Sequence, residues 1–196
     1  MKRLLSVCAT AIVVGSLMTG CSAAKDAFQK ANRVIVYGNQ QQISEALNQD
    51  KKDIKEKDEY TIKVAEDGKQ DMMILDKTTA KALVEKNLLK EVTKDNDTEA
   101  ITSLPKVTKD TSALFAKQEV KEMNLAGQNS KIIYEGNKII GDGRSYVDEF
   151  LIVDDSQFAA IKGTKKKMAV IKYDKNPDKK LIEFDVDEVQ LVQVGE

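Results

Sequence analysis

The side chains that could perform chemistry in this chain are carboxylates, lysines, tyrosines and hydroxyls, because histidine is absent from the whole sequence. Without imidazole, the Ser-His-Asp and Cys-His mechanisms are excluded, and so are nearly all catalytic zinc sites. The two cysteines, Cys8 and Cys21, both lie near the start of the chain. The composition therefore predicts no enzyme, no catalytic residue, no cofactor and no metal site.

Two acidic segments have the alternating spacing of a calcium-binding loop. The segments are Asp95–Glu99 and Asp174–Asp178. A calcium loop needs a glycine at its sixth position for a sharp turn. That glycine is replaced by Ala100 in the first segment, and Lys179 follows the second. Both segments are interpreted as polar turns.

Three other segments have a functional interpretation and a simpler one. Ser103–Lys106 has the Ser-x-x-Lys spacing of penicillin-binding enzymes, but the accompanying Lys-Thr-Gly motif is absent in that order. Gly141–Ser145 could bind an anion through its backbone amides and Arg144, but no helix is predicted to follow, which favours a turn. Lys165–Lys167 could contact anionic lipid, although such charge runs are usually solvated turns.

The first part of the chain has the pattern of an export signal. Lys2 and Arg3 precede an apolar run that extends from Leu4 to Met18. A helix needs about 20 apolar residues to span the hydrocarbon core, so this run is short for a permanent anchor. A basic start, a short apolar run and small residues before a cleavage point are typical of a signal peptide.

The segment Leu17–Cys21 resembles a bacterial lipobox, with Met18 where leucine is usual. The resemblance implies diacylglyceryl transfer to Cys21 and cleavage after Gly20. Residues 1–20 are then a signal peptide and residues 21–32 a tether. The lipoprotein would be held at the cell membrane on its extracytoplasmic face by palmitate-like acyl chains, with membrane lipid as its first partner. A secreted protein cut nearby and an uncleaved anchor are the alternatives.

Residues 21–196 would form the mature chain. Removing Lys2 and Arg3 from the 31 basic residues leaves 29, against 32 acidic residues. This near-balanced charge argues against nucleic acid as a partner. With Cys21 acylated, no second cysteine remains for a disulfide, so the domain must be stabilised by its hydrophobic core.

The hydrophobic pattern predicts an α+β fold with a mostly antiparallel sheet and two or three short helices. Arg33–Tyr37 is a predicted strand, and Tyr60–Val64 and Met72–Leu75 form a predicted hairpin around an Asp-Gly turn. Residues 33–196 are predicted to be a single domain. Because the segment Thr93–Asp110 is polar and contains proline, two halves, 33–104 and 105–196, are the alternative.

Two segments, 78 residues apart, have the same pattern. Ile74–Thr78 and Ile152–Ser156 each end an apolar strand at an aspartate, which is followed two residues later by a hydroxyl and then by a helical pattern. This favours a duplicated hairpin–helix unit, whereas independent helix caps are the alternative. A further hairpin is predicted from Ile132 to Ile140, and a basic turn from Gly163 to Lys167.

The whole chain resembles the uncharacterised lipoproteins of Bacillus-type Gram-positive bacteria. The anchor at Cys21 and the lack of catalytic residue sets predict a membrane-tethered, non-catalytic binding or accessory module of the cell envelope, with an envelope protein as partner. One alternative is a small ligand-capture lipoprotein of a transporter. Another is a carboxylate-based cell-wall hydrolase, which would need a pocket holding two carboxylates.

Overall fold

The computed structural model describes residues 33–49, 51–67, 70–94, 97–120, 123, 125–128, 130–177 and 184–193. The predicted signal peptide, the predicted tether and Cys21 lie outside them. The described helices are α1 Gln40–Gln49, α2 Lys77–Glu85 and α3 Asp155–Phe158. The described strands are β1 Arg33–Gly38, β2 Ile54–Asp67, β3 Gln70–Asp76, β4 Leu89–Val92, β5 Thr98–Ala100, β6 Thr111–Phe115, β7 Lys131–Tyr134, β8 Lys138–Ile140, β9 Glu149–Val153, β10 Thr164–Tyr173 and β11 Glu188–Val192.

Most of these strands form one mixed sheet in the order β11-β1-β10-β2-β3-β9-β6-β7, and β5-β4-β8 form a second, smaller sheet. Only the pairs β3–β9 and β6–β7 are parallel among the described strand pairs. The predicted α+β class with a mostly antiparallel sheet is confirmed. The large sheet contains strands from both of the predicted halves of the chain.

The strand directions define two ends of the large sheet. β1, β2, β6 and β7 run one way, and β3, β9, β10 and β11 run the other way. We call the end at which β1 begins, at Arg33, the tether end, because residues 21–32 precede it. We call the opposite end, at which β2 finishes and β3 and β9 begin, the distal end.

Both faces of the large sheet are covered at β1, β3 and β9, which explains why these strands are apolar without alternation. All five residues of β9 are buried. On one face, α2 and the small sheet pack over residues such as Ile35, Met73 and Phe150. On the other face, α1 packs over Val34 and Val36. Residues around α3 cover Leu151 on that same side.

The two similar segments found in the sequence form adjacent parallel strands, but they do not form two hairpin–helix units. Asp76 caps α2 by accepting a hydrogen bond from the Thr79 amide at 2.6 Å, and Asp154 caps α3 by accepting from the Ser156 amide at 3.1 Å. β2 and β3 form a hairpin, whereas the strand before β9, β8, pairs with β4 in the small sheet. The shared part is therefore limited to the strand, the aspartate cap and the helix, which favours independent caps.

Two local predictions in the second half of the chain are wrong. The predicted hairpin from Ile132 to Ile140 is absent, because β7 pairs with β6 and β8 pairs with β4. The predicted basic turn is a strand, because β10 already begins at Thr164 and the lysines pair in register with β2. In both cases pairing with a distant strand, which local sequence does not encode, decides the structure.

Lys63 is a buried charged residue that holds the chain after α3. Its side chain is only 3% exposed, although it belongs to a strand of alternating polar residues. The ammonium donates hydrogen bonds to the carbonyl oxygens of Phe158 at 2.6 Å, Ala159 at 3.2 Å and Ile161 at 2.6 Å. These carbonyls lie at or just after the end of α3 and have no other hydrogen-bond donor among the described residues, so Lys63 satisfies three acceptors at once.

Asp187 links the segment before β11 to the middle of the large sheet. Its carboxylate accepts hydrogen bonds from the Lys166 ammonium at 2.6 Å and from the Tyr146 hydroxyl at 3.1 Å. The ring of Tyr146 stacks on Tyr37, with 4.6 Å between the ring centroids. Burial acts to raise the pKa of Asp187, but the hydrogen bonds and the charge of Lys166 together outweigh it, so that the pKa is lowered.

We expect the unfolding free energy of Asp187→Asn to change less with pH, in the acidic range, than that of the wild type. A lowered carboxyl pKa stabilises the folded state above the unfolded value of about 4, and this contribution is lost as the pH falls through the lower folded value. Near pH 7 the variant should lose about 1 kcal/mol of unfolding free energy, and at about pH 3, below the unfolded pKa, this loss should be smaller. Urea denaturation at both pH values measures this.

Asp174→Asn is the control for this prediction, because the Asp174 side chain is 67% exposed and lies 3.9 Å from Lys55. A loss that is equal at both pH values, or equal in the two variants, would contradict the predicted role of Asp187.

Candidate functional site

A cavity of about 610 Å³ lies at the distal end of the large sheet. Pairing places its walls together: β6 and β9 are antiparallel with Phe115 opposite Phe150, so the residues after β6 meet those that begin β9. β3 lies parallel to β9 and starts at the same end. The described residues that line it are Gln70, Ala116, Lys117, Gln118, Glu119, Val120, Arg144, Asp148 and Glu149.

Arg144 is the half-buried cation of this cavity, and the protein holds it in one position. Its Nη1 donates to Asn137 Oδ1 at 2.8 Å, and its Nη2 donates to the Lys138 carbonyl at 2.7 Å. The guanidinium lies 5.6 Å from the centroid of the Phe150 ring. Nε is buried and has no hydrogen-bond partner among the described residues. The guanidinium is thus preorganised by contacts that use only part of its donor capacity.

The electrostatics around Arg144 combine burial with nearby negative charge. Burial lowers the pKa of Arg144, whereas Tyr134, Asp148 and Glu149 act to raise it. An arginine keeps its charge under these conditions, because its ordinary pKa lies so far above neutrality. The cavity therefore contains a permanent positive charge with carboxylates close to it.

The two carboxylates that begin β9 differ in exposure. Glu149 is only 2% exposed, whereas Asp148 is exposed and forms hydrogen bonds with Asp71 on β3. The Asp148 amide donates to the Asp71 carbonyl at 2.9 Å, and the Asp71 amide donates to Asp148 Oδ2 at 3.2 Å. A glutamate buried to this extent is unusual in a protein.

The cavity rim is formed by the loop after β6, which carries charges of both signs. Lys117, Gln118 and Glu119 are all exposed. The Tyr134 hydroxyl on β7 donates to the Ala116 carbonyl at 3.3 Å and so helps to position this loop. The site can therefore offer a guanidinium, an ammonium and carboxylates to a bound molecule.

The structure separates Arg144 from the rest of the segment Gly141–Ser145. Asp142 accepts a hydrogen bond from the Lys90 ammonium at 2.8 Å, and Ser145 accepts one from the Gln190 side chain at 2.9 Å. Gly141 has a φ of +65°, and a Cβ there would lie 2.5 Å from Gln190 Oε1. The segment is a turn packed against β11, and only Arg144 reaches the cavity.

The other sequence candidates are dispersed. Ser103 and Lys106 line a second cavity of about 490 Å³ beside α2. Asp95 and Asp178 lie outside the described residues. In the described part of the chain, no three carboxylates or other metal-ligating side chains lie together in a group that could hold a metal ion.

Lys165–Lys167 lie near the distal end of the large sheet. Lys167 pairs in register with Gly38, whereas Arg33 pairs with Lys172. The lysines are thus at the opposite end of β1 from the point where the tether enters. Lys166 binds Asp187, and the Lys167 ammonium donates to the Thr61 hydroxyl at 3.0 Å.

Sequence reasoning missed the carboxylates of the cavity. Asp148 and Glu149 belong to the segment Tyr146–Val153, whose mostly apolar composition indicates a strand and not a site. The available signal was a pair of adjacent acidic residues at the start of an apolar run. Arg144 is only four residues before Asp148, but the proximity of both carboxylates to the loop after Phe115 depends on pairing between distant strands.

The comparisons with known proteins give the family. The sequence model of an uncharacterised lipoprotein family matches residues 31–195. The chain belongs to this family. A crystal structure of a Bacillus anthracis protein assigned as a lipoprotein is similar, with a TM-score of 0.78 and 30% sequence identity. The match covers 84% of this chain and 100% of that chain. A search of curated proteins gives no match.

Family membership confirms the resemblance to bacterial lipoproteins that the sequence indicated. Such a lipoprotein is a membrane-anchored protein of the cell envelope. Among the described helices, none has the length and apolar composition needed to cross a bilayer. Acylation of Cys21, cleavage after Gly20 and the face of the membrane stay predictions, because residues 1–32 lie outside the described residues.

Proposed function

We propose that this lipoprotein is a non-catalytic binding module, tethered through acylated Cys21 to the extracytoplasmic face of the cell membrane, and that it binds an envelope component at the cavity around Arg144. The observation that carries the proposal is the position of the cavity. Residues 21–32 join the domain at the tether end of the large sheet, and the cavity opens at the distal end. The binding site would therefore face away from the anchor.

The construction of the cavity supports the same function. Its floor comes from the ends of paired strands, and its rim comes from a loop, which is the usual arrangement of a binding site on a rigid scaffold. Arg144 is fixed by two hydrogen bonds and by its contact with Phe150. Fixing a polar group before binding lowers the entropic cost of recognition.

Site-specific photo-cross-linking in the bacterium that encodes the protein tests this proposal. A photoreactive amino acid at Gln118, on the cavity rim, should form a covalent adduct with one reproducible envelope component. The matched control is the same amino acid at Lys175, which is exposed and follows β10 at the tether end. The Gln118 adduct should be lost when Cys21 is replaced by alanine, because the protein is then no longer held at the membrane.

Two results would contradict the proposal. Equal adducts from Gln118 and Lys175, or none from either position, would show that the cavity is not the binding surface. If the protein released soluble fragments from purified peptidoglycan and Glu149→Gln abolished this release, the protein would be a carboxylate-based hydrolase and not a non-catalytic module.

A further inference from the structure

We propose that the cavity around Arg144 binds an α-amino-acid group, with the ligand carboxylate on Arg144 and the ligand ammonium toward Asp148 and Glu149. This inference rests on the proposed binding function and specifies its ligand class. The group could belong to a free amino acid or to a larger envelope molecule that carries one.

The argument for the carboxylate begins with the donors of Arg144. A guanidinium has five N–H groups, and Arg144 uses two of them, toward Asn137 and Lys138. Because Nε is buried, the N–H groups left for a ligand are the second ones on Nη1 and Nη2. A carboxylate accepts two parallel N–H bonds from a guanidinium, and this is the geometry that arginine recognises best. Lys117, on the loop that forms the rim, adds a second positive charge to the cavity.

The argument for the ammonium comes from the other charges of the cavity. Its described lining contains three carboxylates, Glu119, Asp148 and Glu149, and two cations, Arg144 and Lys117. A simple anion would be repelled by these carboxylates, and a simple cation would be repelled by the fixed guanidinium. A ligand that carries both signs a few bonds apart is attracted by both sets. The cavity volume lies in the range of small-ligand sites and exceeds what an amino acid needs.

Ligand-detected NMR on the lipidated protein in nanodiscs tests this inference, with empty nanodiscs as the blank. The probes are the twenty common amino acids taken singly, acetate, methylamine, and soluble peptide fragments of digested peptidoglycan. At least one amino acid or peptide fragment should bind, and acetate and methylamine should bind at least about tenfold more weakly. Binding of an amino acid alone would identify a free ligand, and binding of fragments alone would identify a polymer-borne one.

Arg144→Gln should weaken binding by about tenfold or more, because it removes the charged donor. Arg33→Gln is the matched control, because Arg33 is also half-buried and donates to a backbone carbonyl, that of Lys86, at 2.7 Å, but lies at the tether end. It should leave binding unchanged. If Arg144→Gln fails to fold, Lys117→Glu decides, since this exposed rim residue can change without loss of the fold and should weaken binding several-fold.

The inference is overturned if no amino acid or fragment binds, if acetate binds as tightly as the best amino acid, or if Arg33→Gln weakens binding as much as Arg144→Gln. An adduct at Gln118 without amino-acid binding would retain the proposed binding function and remove only this ligand class.

Discussion

Replacing Cys21 by alanine is expected to release the protein from the membrane. A thioether-linked diacylglyceryl group supplies two acyl chains, which is enough for stable anchoring, and no other thiol in the mature chain could replace Cys21. Metabolic labelling with palmitate should therefore be lost entirely in the variant. In detergent phase separation, the wild-type protein should enter the detergent phase, and the variant should stay in the aqueous phase.

Cys8→Ala is the matched control, because it removes the only other cysteine and leaves the predicted lipobox intact. It should label and partition like the wild type. Palmitate labelling that persists in Cys21→Ala, or that is lost in Cys8→Ala, would show that the acylated residue was assigned incorrectly.

Lys63→Met is expected to lower the free energy of unfolding by about 2–4 kcal/mol. Methionine keeps most of the aliphatic side chain but donates no hydrogen bond. The carbonyls of Phe158, Ala159 and Ile161 would then lose the donor that all three share. Urea denaturation near neutral pH measures the loss.

Lys165→Met is the matched control, because Lys165 lies directly opposite Lys63 on β10 and is exposed. Its effect should stay within about 0.5 kcal/mol. If Lys63→Met were as stable as the wild type, the cost of burying the ammonium would equal the gain from its hydrogen bonds, and Lys63 would not be needed to hold α3.

Features that depend on neighbouring residues were predictable from the sequence. β1 was predicted from Arg33 to Tyr37 and is observed from Arg33 to Gly38. The pairing of β2 with β3 was predicted from the Asp-Gly sequence between them, although β2 is longer than predicted and begins at Ile54. The caps at Asp76 and Asp154 follow from the affinity of a carboxylate for the free amides at a helix start.

Features that depend on distant segments were not predictable in the same way. β7 and β8 are close in sequence and have suitable turn residues between them, yet they belong to different sheets. The buried position of Lys63 depends on the carbonyls near Ile161, almost one hundred residues away. A lysine in an alternating strand ordinarily faces solvent, so nothing in the local pattern distinguishes it from its neighbours.

The sequence by itself determined the family, and it predicted the anchor because a lipobox is a short contiguous motif. The absence of histidine, a property of composition, argued against most catalytic mechanisms. It also determined the α+β class, since hydrophobic periodicity is local. Only the tertiary structure decided where a ligand could bind. Arg144 and Glu149 lie on one segment and the loop after Phe115 lies on another, and the two segments meet because β9 pairs with β6.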